Sequence, residues 1–221
     1  MDSQKATLHD RTNDVTSGIL HLAGAGLAVA VMVVLVVSGV RYGSPWHVVG
    51  YSLYGAGLIL LYVASATYHL VPHHFVRAKE VLQRLDHAMI FILIAATYTP
   101  ITFIALSGAW RWSIFGIIWL LALIGALLKM FSVPIPRALS PVLYIAMGWF
   151  IFVAFAPLRE TLTTATMWLL LAGGISYTLG VIFFALDKML PRKPYFWMHE
   201  IFHVFVLGGS ALHTIAMFLI L

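Results

Sequence analysis

The sequence lacks cysteine altogether and has few charged residues. Of its 221 residues, 10% are Asp, Glu, Lys or Arg, whereas soluble domains carry about 25%. Without cysteine the chain has no disulfide framework, no thiol nucleophile and no cysteine ligand for zinc, so a metal site would have to use His, Asp or Glu. With 62% hydrophobic residues, the composition excludes a soluble globular domain and indicates a polytopic helical membrane protein.

Long apolar runs recur along the chain, separated by short polar or proline-containing segments. A helix needs about 20 apolar residues to cross a bilayer. The sequence predicts seven such spans, over residues 15–40, 46–71, 85–106, 112–129, 139–157, 161–186 and 195–221. We therefore expect an all-α fold with a cytoplasmic N-terminal segment, residues 1–14, followed by a seven-helix transmembrane domain, residues 15–221.

Basic residues are distributed unequally between the two sides of this arrangement. Ten of the 13 Lys and Arg residues fall on the side of the N-terminus, and three fall on the opposite side, namely Arg41, Arg111 and Arg159. Because basic loops remain in the cytoplasm, this asymmetry predicts a cytoplasmic N-terminus, an external C-terminus and a multi-pass protein of the inner (plasma) membrane. It also explains the net charge of +5 without a nucleic-acid partner.

Polar side chains that can bind metals or transfer protons occur at the ends of three spans on the predicted cytoplasmic side. Ser65 and His69 end the second run, Asp86 opens the third, and His199 and His203 open the seventh. Two residues four apart lie about 40° apart around a helix, so both histidines of the seventh span can reach one ion. Ionisable groups inside a membrane are costly and indicate a functional site.

As a set, Ser65-x3-His69, Asp86 and His199-x3-His203 resemble the progestin and adipoQ receptor family, most closely its bacterial haemolysin III-like branch. The likeness covers essentially the whole chain, including seven spans with the N-terminus inside. In that family, and in the superfamily it shares with alkaline ceramidases, three histidines bind zinc, an Asp holds the zinc-bound water and a Ser lies nearby. The resemblance therefore implies Zn²⁺ at the three histidines and hydrolysis of a lipid amide or ester.

The residue types agree with this chemistry but leave alternatives. Three imidazole ligands leave a fourth position for water, as in catalytic zinc sites, although Fe, Co or Ni would also accept nitrogen ligands. The alternative to a metal site is that the three histidines form hydrogen bonds to neighbouring helices. We expect Asp86 to act as a general base, the alternatives being an ion pair with Arg84 or a charge at a helix N-terminus. Ser65 donates a hydrogen bond to an oxyanion or to Asp86, or to the carbonyl four residues earlier.

Two further residues of the seventh span require separate interpretation. Glu200 completes the zinc-protease pattern HExxH, but the family pattern requires only the two histidines. We therefore expect Glu200 to be an interface charge or a charge at the cytoplasmic mouth, paired with Lys193 or Arg192. His213 lies ten residues beyond His203, about 15 Å along the helix, so we expect it to make an interhelical hydrogen bond and not to share the ion.

Three functions are compatible with the sequence. The first is a zinc-dependent lipid hydrolase that meets its substrate among the membrane lipids. The second is a receptor-like or sensor protein whose zinc is structural. The third, a pore or transporter, is less favoured because its polar residues would be spread along several helices through the membrane, whereas here they cluster on one side.

The predicted orientation can be tested with single cysteines, because the native chain has none. We expect Arg77→Cys to be protected from membrane-impermeant thiol reagents in intact cells and Arg159→Cys to react, since the two positions lie on opposite sides. The labelling is read by a mass shift on gels, with permeabilised cells as the control. The reverse pattern would invert the topology.

Overall fold

The predicted apolar runs all form helices long enough to cross a membrane. The computed structural model describes residues 2–136, 138–187, 189–191 and 193–221, with side chains described from Thr12 onward. Over these residues it confirms an all-α protein with seven candidate spans, which are Thr12–Tyr42, Pro45–Leu70, Val76–Ala105, Gly108–Met130, Leu139–Thr161, Thr164–Asp187 and Met198–Leu219. An odd number of spans places the two termini on opposite sides of the membrane.

The first two spans are single uninterrupted helices. Helix α1 covers Asp2–Tyr42, so the helix begins well before the apolar run and includes most of the predicted N-terminal segment. Helix α2 covers Pro45–Leu70 and starts with a proline, whose fixed φ and missing N–H suit the first helical position. These two helices pack along each other, which brings the N-terminal part of α1 next to the end of α2.

Helix α3 starts earlier than hydropathy predicts. It covers Val76–Pro100, whereas the apolar run begins at Leu85, because the first turns of the helix carry basic residues that an apolar window does not register. Asp86 is therefore ten residues inside the helix. The stabilisation of an acid by the helix dipole is confined to the first turn, so the alternative of Asp86 as a helix N-terminal charge is wrong.

At its C-terminal end α3 changes its hydrogen-bonding pattern after Pro100. A π-helical turn, Ile101–Ala105, follows the proline, which has no N–H to donate to the preceding turn. Side chains supply hydrogen bonds here: Thr99 Oγ1 donates to the Ala95 carbonyl at 2.9 Å, and Trp119 Nε1 donates to Thr99 Oγ1 at 3.0 Å. The latter bond joins α3 to α4, which covers Gly108–Met130.

The fifth span is interrupted near its middle. Helix α5, Leu139–Trp149, passes into a 3₁₀ segment, Phe150–Ala154, and then into α6, Phe155–Thr161. Irregular backbone at membrane depth requires partners within the protein, and Tyr98 of α3 supplies them. Its single O–H is shared between the carbonyl oxygens of Met147 and Gly148, at 2.6 and 3.0 Å, and its oxygen accepts from the Ile151 N–H at 2.7 Å.

Two long helices, α7 (Thr164–Asp187) and α8 (Met198–Leu219), complete the bundle, and hydrogen bonds from α2 and α7 hold α8 in place. Tyr62 of α2 and Tyr177 of α7 both hydrogen-bond to the hydroxyl of Ser210 on α8, each at 2.7 Å. Because tyrosine buries a large ring and still needs a partner for its hydroxyl, these bonds fix α8 between α2 and α7.

Close packing of α2 on α3 predicts that Gly50 will not tolerate a side chain. A Cβ at this position would lie 2.8 Å from the Pro100 Cα, a backbone atom with no freedom to move away. We expect Gly50→Ala to lower the free energy of unfolding by about 1–3 kcal/mol through overpacking. The change should appear as a lower Tm of the purified protein in detergent. Gly116→Ala is the matched control, because nothing lies within 4 Å of its Cβ. An unchanged Tm for Gly50→Ala would contradict the helix contact.

Candidate metal centre

Three histidines from two helices meet at one point inside the bundle. His69 lies in the last turn of α2, and His199 and His203 lie one turn apart near the start of α8. One ring nitrogen from each residue falls within 4.8 Å of the others. His69 and His203 are buried, and His199 is half-buried. The pairing of His199 with His203 follows from their spacing, and His69 joins them as the family resemblance implied, so these three residues could hold a metal ion.

The spacing of the ring nitrogens suits a tetrahedral ion. Zinc binds imidazole nitrogen at about 2.0–2.1 Å, which places two ligand atoms of a tetrahedron about 3.3 Å apart. The Nε2 atoms of His69 and His199 are 3.4 Å apart. The third histidine has a ring nitrogen, His203 Nδ1, that is buried without a hydrogen-bond partner among the described residues. Three imidazole donors, and the distance between the ring nitrogens of His69 and His199, thus suit zinc.

A carboxylate from α1 holds the other nitrogen of His69. Asp14 Oδ1 lies 2.9 Å from His69 Nδ1. Its second oxygen, Oδ2, accepts from Lys79 Nζ at 2.6 Å and lies 2.9 Å from His73 Nε2. Carboxylates commonly orient histidine ligands in this way. The sequence interpretation assigned no role to Asp14, because it precedes the apolar run.

Asp86 and Ser65 lie beside the histidines but outside the group of ligating atoms. Both line the same cavity as the three histidines. The Ser65 hydroxyl lies next to the Asp86 carboxylate, and it has no hydrogen bond of good geometry to any described group. The alternative that Ser65 bonds to the carbonyl of Leu61 is therefore not observed. Among the described residues no ion pair joins Asp86 to Arg84, so that alternative is not observed.

A cavity of about 640 Å³ extends from this cluster into the bundle. His203 and His213 both line it, and ten residues of helix span about 15 Å, so the cavity follows α8 for roughly that length. Its walls include apolar side chains from five helices, among them Leu61, Leu93, Ile145, Val181 and Val206. A volume of this size is in the range of small-molecule binding sites.

Glu200 is not the mouth charge that the sequence predicted. Its side chain is fully buried, accepts a hydrogen bond from the Trp197 N–H at 2.8 Å and accepts another from Ser17 Oγ at 2.9 Å. The first bond is the Glu half of a capping box, which satisfies a free N–H at the helix start. Lys193 instead packs its ammonium over the Trp197 ring, 4.6 Å from the centroid, and Arg192 lies outside the described residues.

His21 is a buried residue of the centre that sequence reasoning missed. Its ring stacks on His203 with centroids 3.9 Å apart and meets Tyr62 edge-on. Neither ring nitrogen has a hydrogen-bond partner among the described residues, and His21 also lines the cavity. The spacing of Asp14, Ser17 and His21 could have identified it, because positions i, i+3 and i+7 share one helix face.

His213 lies apart from the centre, as its spacing from His203 predicted. Its Nε2 lies 3.1 Å from the Leu170 carbonyl oxygen of α7. The expected interhelical hydrogen bond is therefore confirmed, and it joins α8 to α7 deep in the bundle.

Comparison with known proteins gives matches along nearly the whole chain. A family model described as Haemolysin-III related matches residues 9–214. Hemolysin-3 of Bacillus cereus is 40% identical over 199 residues, 90% of this chain and 87% of that protein. The Hemolysin-3 homolog of Bacillus subtilis (strain 168) is 37% identical over 198 residues, 90% of this chain and 89% of that protein. The human Monocyte to macrophage differentiation factor is 27% identical over 178 residues, 77% of this chain and 70% of that protein.

If the three histidines form one metal site, each contributes a third of the protein ligands. We expect His69→Ala, His199→Ala and His203→Ala each to lower the zinc content of the purified protein from about one per chain to well below half. Inductively coupled plasma mass spectrometry measures the content. His213→Ala should leave it unchanged, because that ring bonds to a backbone carbonyl. Full zinc content in His69→Ala would exclude the ligand from α2.

Proposed function

This chain belongs to the haemolysin-III-related family, and we propose that it is a zinc-dependent membrane hydrolase that cleaves a lipid amide or ester. Its place in the wider progestin and adipoQ receptor family, seen first as a resemblance, is confirmed. We place the N-terminus in the cytoplasm, so that the centre faces the cytoplasmic leaflet of the inner (plasma) membrane.

The observation that supports this proposal is a set of three histidine ligands, with a fourth position free of ligands from the described residues, next to an acidic side chain. Three histidine nitrogens converge, and in the described part of the chain no fourth ligand joins them. Structural zinc sites are closed by four protein ligands, whereas catalytic sites keep one position for water or substrate. Asp86 and Ser65 line the same cavity and are the groups that hydrolysis would need there.

Each residue has a role that follows from its chemistry. When bound, zinc supplies a Lewis acid and activates water near neutral pH. An ionised Asp86 carries no donor and accepts on both oxygens, so it takes the proton of the attacking water as general base. Ser65 lies beside that carboxylate and donates a hydrogen bond to it or to a developing oxyanion.

The shape of the cavity supports a lipid as the substrate. Beyond the histidines its walls are mainly apolar, and it continues along α8 as far as His213. A hydrocarbon chain that enters it from the bilayer would exchange one apolar environment for another, so its transfer would cost little free energy. The linkage that joins such a chain to a head group would then lie next to Asp86 and the histidines.

Replacing Asp86 separates catalysis from metal binding. We expect Asp86→Asn to keep the fold and most of the zinc, because Asp86 lies outside the group of ligating atoms. Hydrolysis should fall by at least about 10²–10⁴-fold, because a neutral amide does not accept the proton. Turnover of long-chain amides and esters by protein in lipid vesicles measures the rate, with zinc content determined on the same samples.

Glu200→Gln is the matched control for this experiment. Glutamine can still accept from the Trp197 N–H, and its amide group can pair with the Ser17 hydroxyl, so activity should remain close to that of the native protein. An active Asp86→Asn with an inactive Glu200→Gln would show that the base is Glu200. Absence of lipid turnover by the native protein under any zinc loading would favour the receptor-like function, with zinc holding α2 and α8 together.

A further inference from the structure

A hydrogen bond that the proposed hydrolysis does not use joins Asp14 to the metal-ligand candidate His69. We propose that Asp14 is a positioning residue, which sets the tautomer and orientation of His69 so that its Nε2 faces the metal ion. This inference rests on the metal-binding part of the proposed function and assigns α1 a part in the site. It is independent of whether hydrolysis occurs.

The direction of the hydrogen bond follows from the partners. A carboxylate only accepts hydrogen bonds, whereas a neutral imidazole has one N–H and one lone pair. With Asp14 Oδ1 at 2.9 Å, the proton belongs on His69 Nδ1. The lone pair is then on Nε2, the atom that lies 3.4 Å from His199 Nε2. Asp14 thereby selects the tautomer that can bind a metal through Nε2.

The carboxylate is itself held in place from the other side. Lys79 of α3 donates to Asp14 Oδ2 at 2.6 Å and to the Val71 carbonyl at 3.3 Å. Its ammonium also lies 5.0 Å from the centroid of the Tyr68 ring. His73 contacts the same oxygen. Because both oxygens have partners, the carboxylate cannot rotate freely, and its partly buried charge is compensated.

The packing of α1 against its neighbours does not by itself require a carboxylate at position 14. α1 already packs along much of α2, so a purely structural Asp14 would be replaceable without effect on the metal. A partner that orients a ligating histidine is different, since its loss commonly weakens metal binding by about 10–100-fold.

The test is the zinc affinity of Asp14→Asn, measured on the purified protein by competition with a chromophoric chelator. Asparagine has the same shape but no charge, and its amide group can donate to Nδ1, which allows the opposite tautomer. We expect the Kd for zinc to rise about 10–100-fold. The absorption spectrum of the Co²⁺-loaded variant should also change in its ligand-field bands, which a loss of helix packing alone would not produce.

Glu160→Gln is the matched control. Glu160 is an exposed residue of α6 that does not line the cavity, and its replacement removes the same charge, so the zinc affinity and Co²⁺ spectrum of this variant should equal those of the native protein. An unchanged Kd and spectrum in Asp14→Asn would overturn the inference. If His69→Ala also bound zinc normally, the assignment of the metal site would be wrong. If Asp14→Asn bound zinc normally and His69→Ala did not, the proposed function would stand without a role for Asp14.

A measurement on the native protein covers the case in which Asp14→Asn fails to fold. Nitrogen NMR of histidine-labelled protein distinguishes a protonated ring nitrogen from one that carries a lone pair or a metal. We expect His69 to be protonated at Nδ1 in the zinc-loaded protein. Protonation at Nε2 would overturn the inference without any substitution.

Discussion

A polar group in the hydrocarbon core of a membrane has no water to bond to, and each unpaired group costs several kcal/mol. The bundle answers this constraint with side chains that supply the missing partners. Tyr98 forms hydrogen bonds with the backbone where the fifth span changes from α to 3₁₀ geometry. The hydroxyl of Ser210 is hydrogen-bonded to the hydroxyls of Tyr62 and Tyr177. Against this background, the ring nitrogens that remain buried without described partners are informative, and three of them lie at the histidine cluster: His203 Nδ1 and both nitrogens of His21.

Helix α1 contributes more to this cluster than its apolar composition indicates. One face of the helix presents Asp14 to His69, Ser17 to Glu200 and His21 to His203. Three successive polar positions thus contact residues on α2 and α8, the two helices that carry the histidines. The consequence is that the helices that supply the ligands are tied to a third one through charge and hydrogen bonding, which fixes side-chain direction more narrowly than apolar packing does.

Glu200 shows why a short pattern does not determine chemistry. HExxH places a glutamate one residue beyond the first histidine, about 100° around the helix, and in zinc proteases this direction leads to the cleft. Here the same direction leads to the start of the helix and to Ser17 of α1, where the carboxylate caps backbone. The acid next to the histidines is Asp86 from α3, which is remote in sequence and close only through packing.

Composition and periodicity were sufficient to predict seven spans, the pairing of His199 with His203 and the separate position of His213, because span length and helical spacing are local properties of the chain. The family resemblance, and not the periodicity, added His69 as the third ligand with Asp86 and Ser65 beside it. The start of α3 at Val76 was missed for a local reason, because basic residues lower the hydropathy without breaking the helix. Other features depended on tertiary structure. The burial of Glu200 and the contacts of Asp14 and His21 depend on which face of α1 packs against α8. A local sequence pattern does not specify how one helix is rotated relative to another. Side-chain direction between helices is set by the packing of all neighbours together, and for this reason only the folded bundle decided which polar groups surround the three histidines.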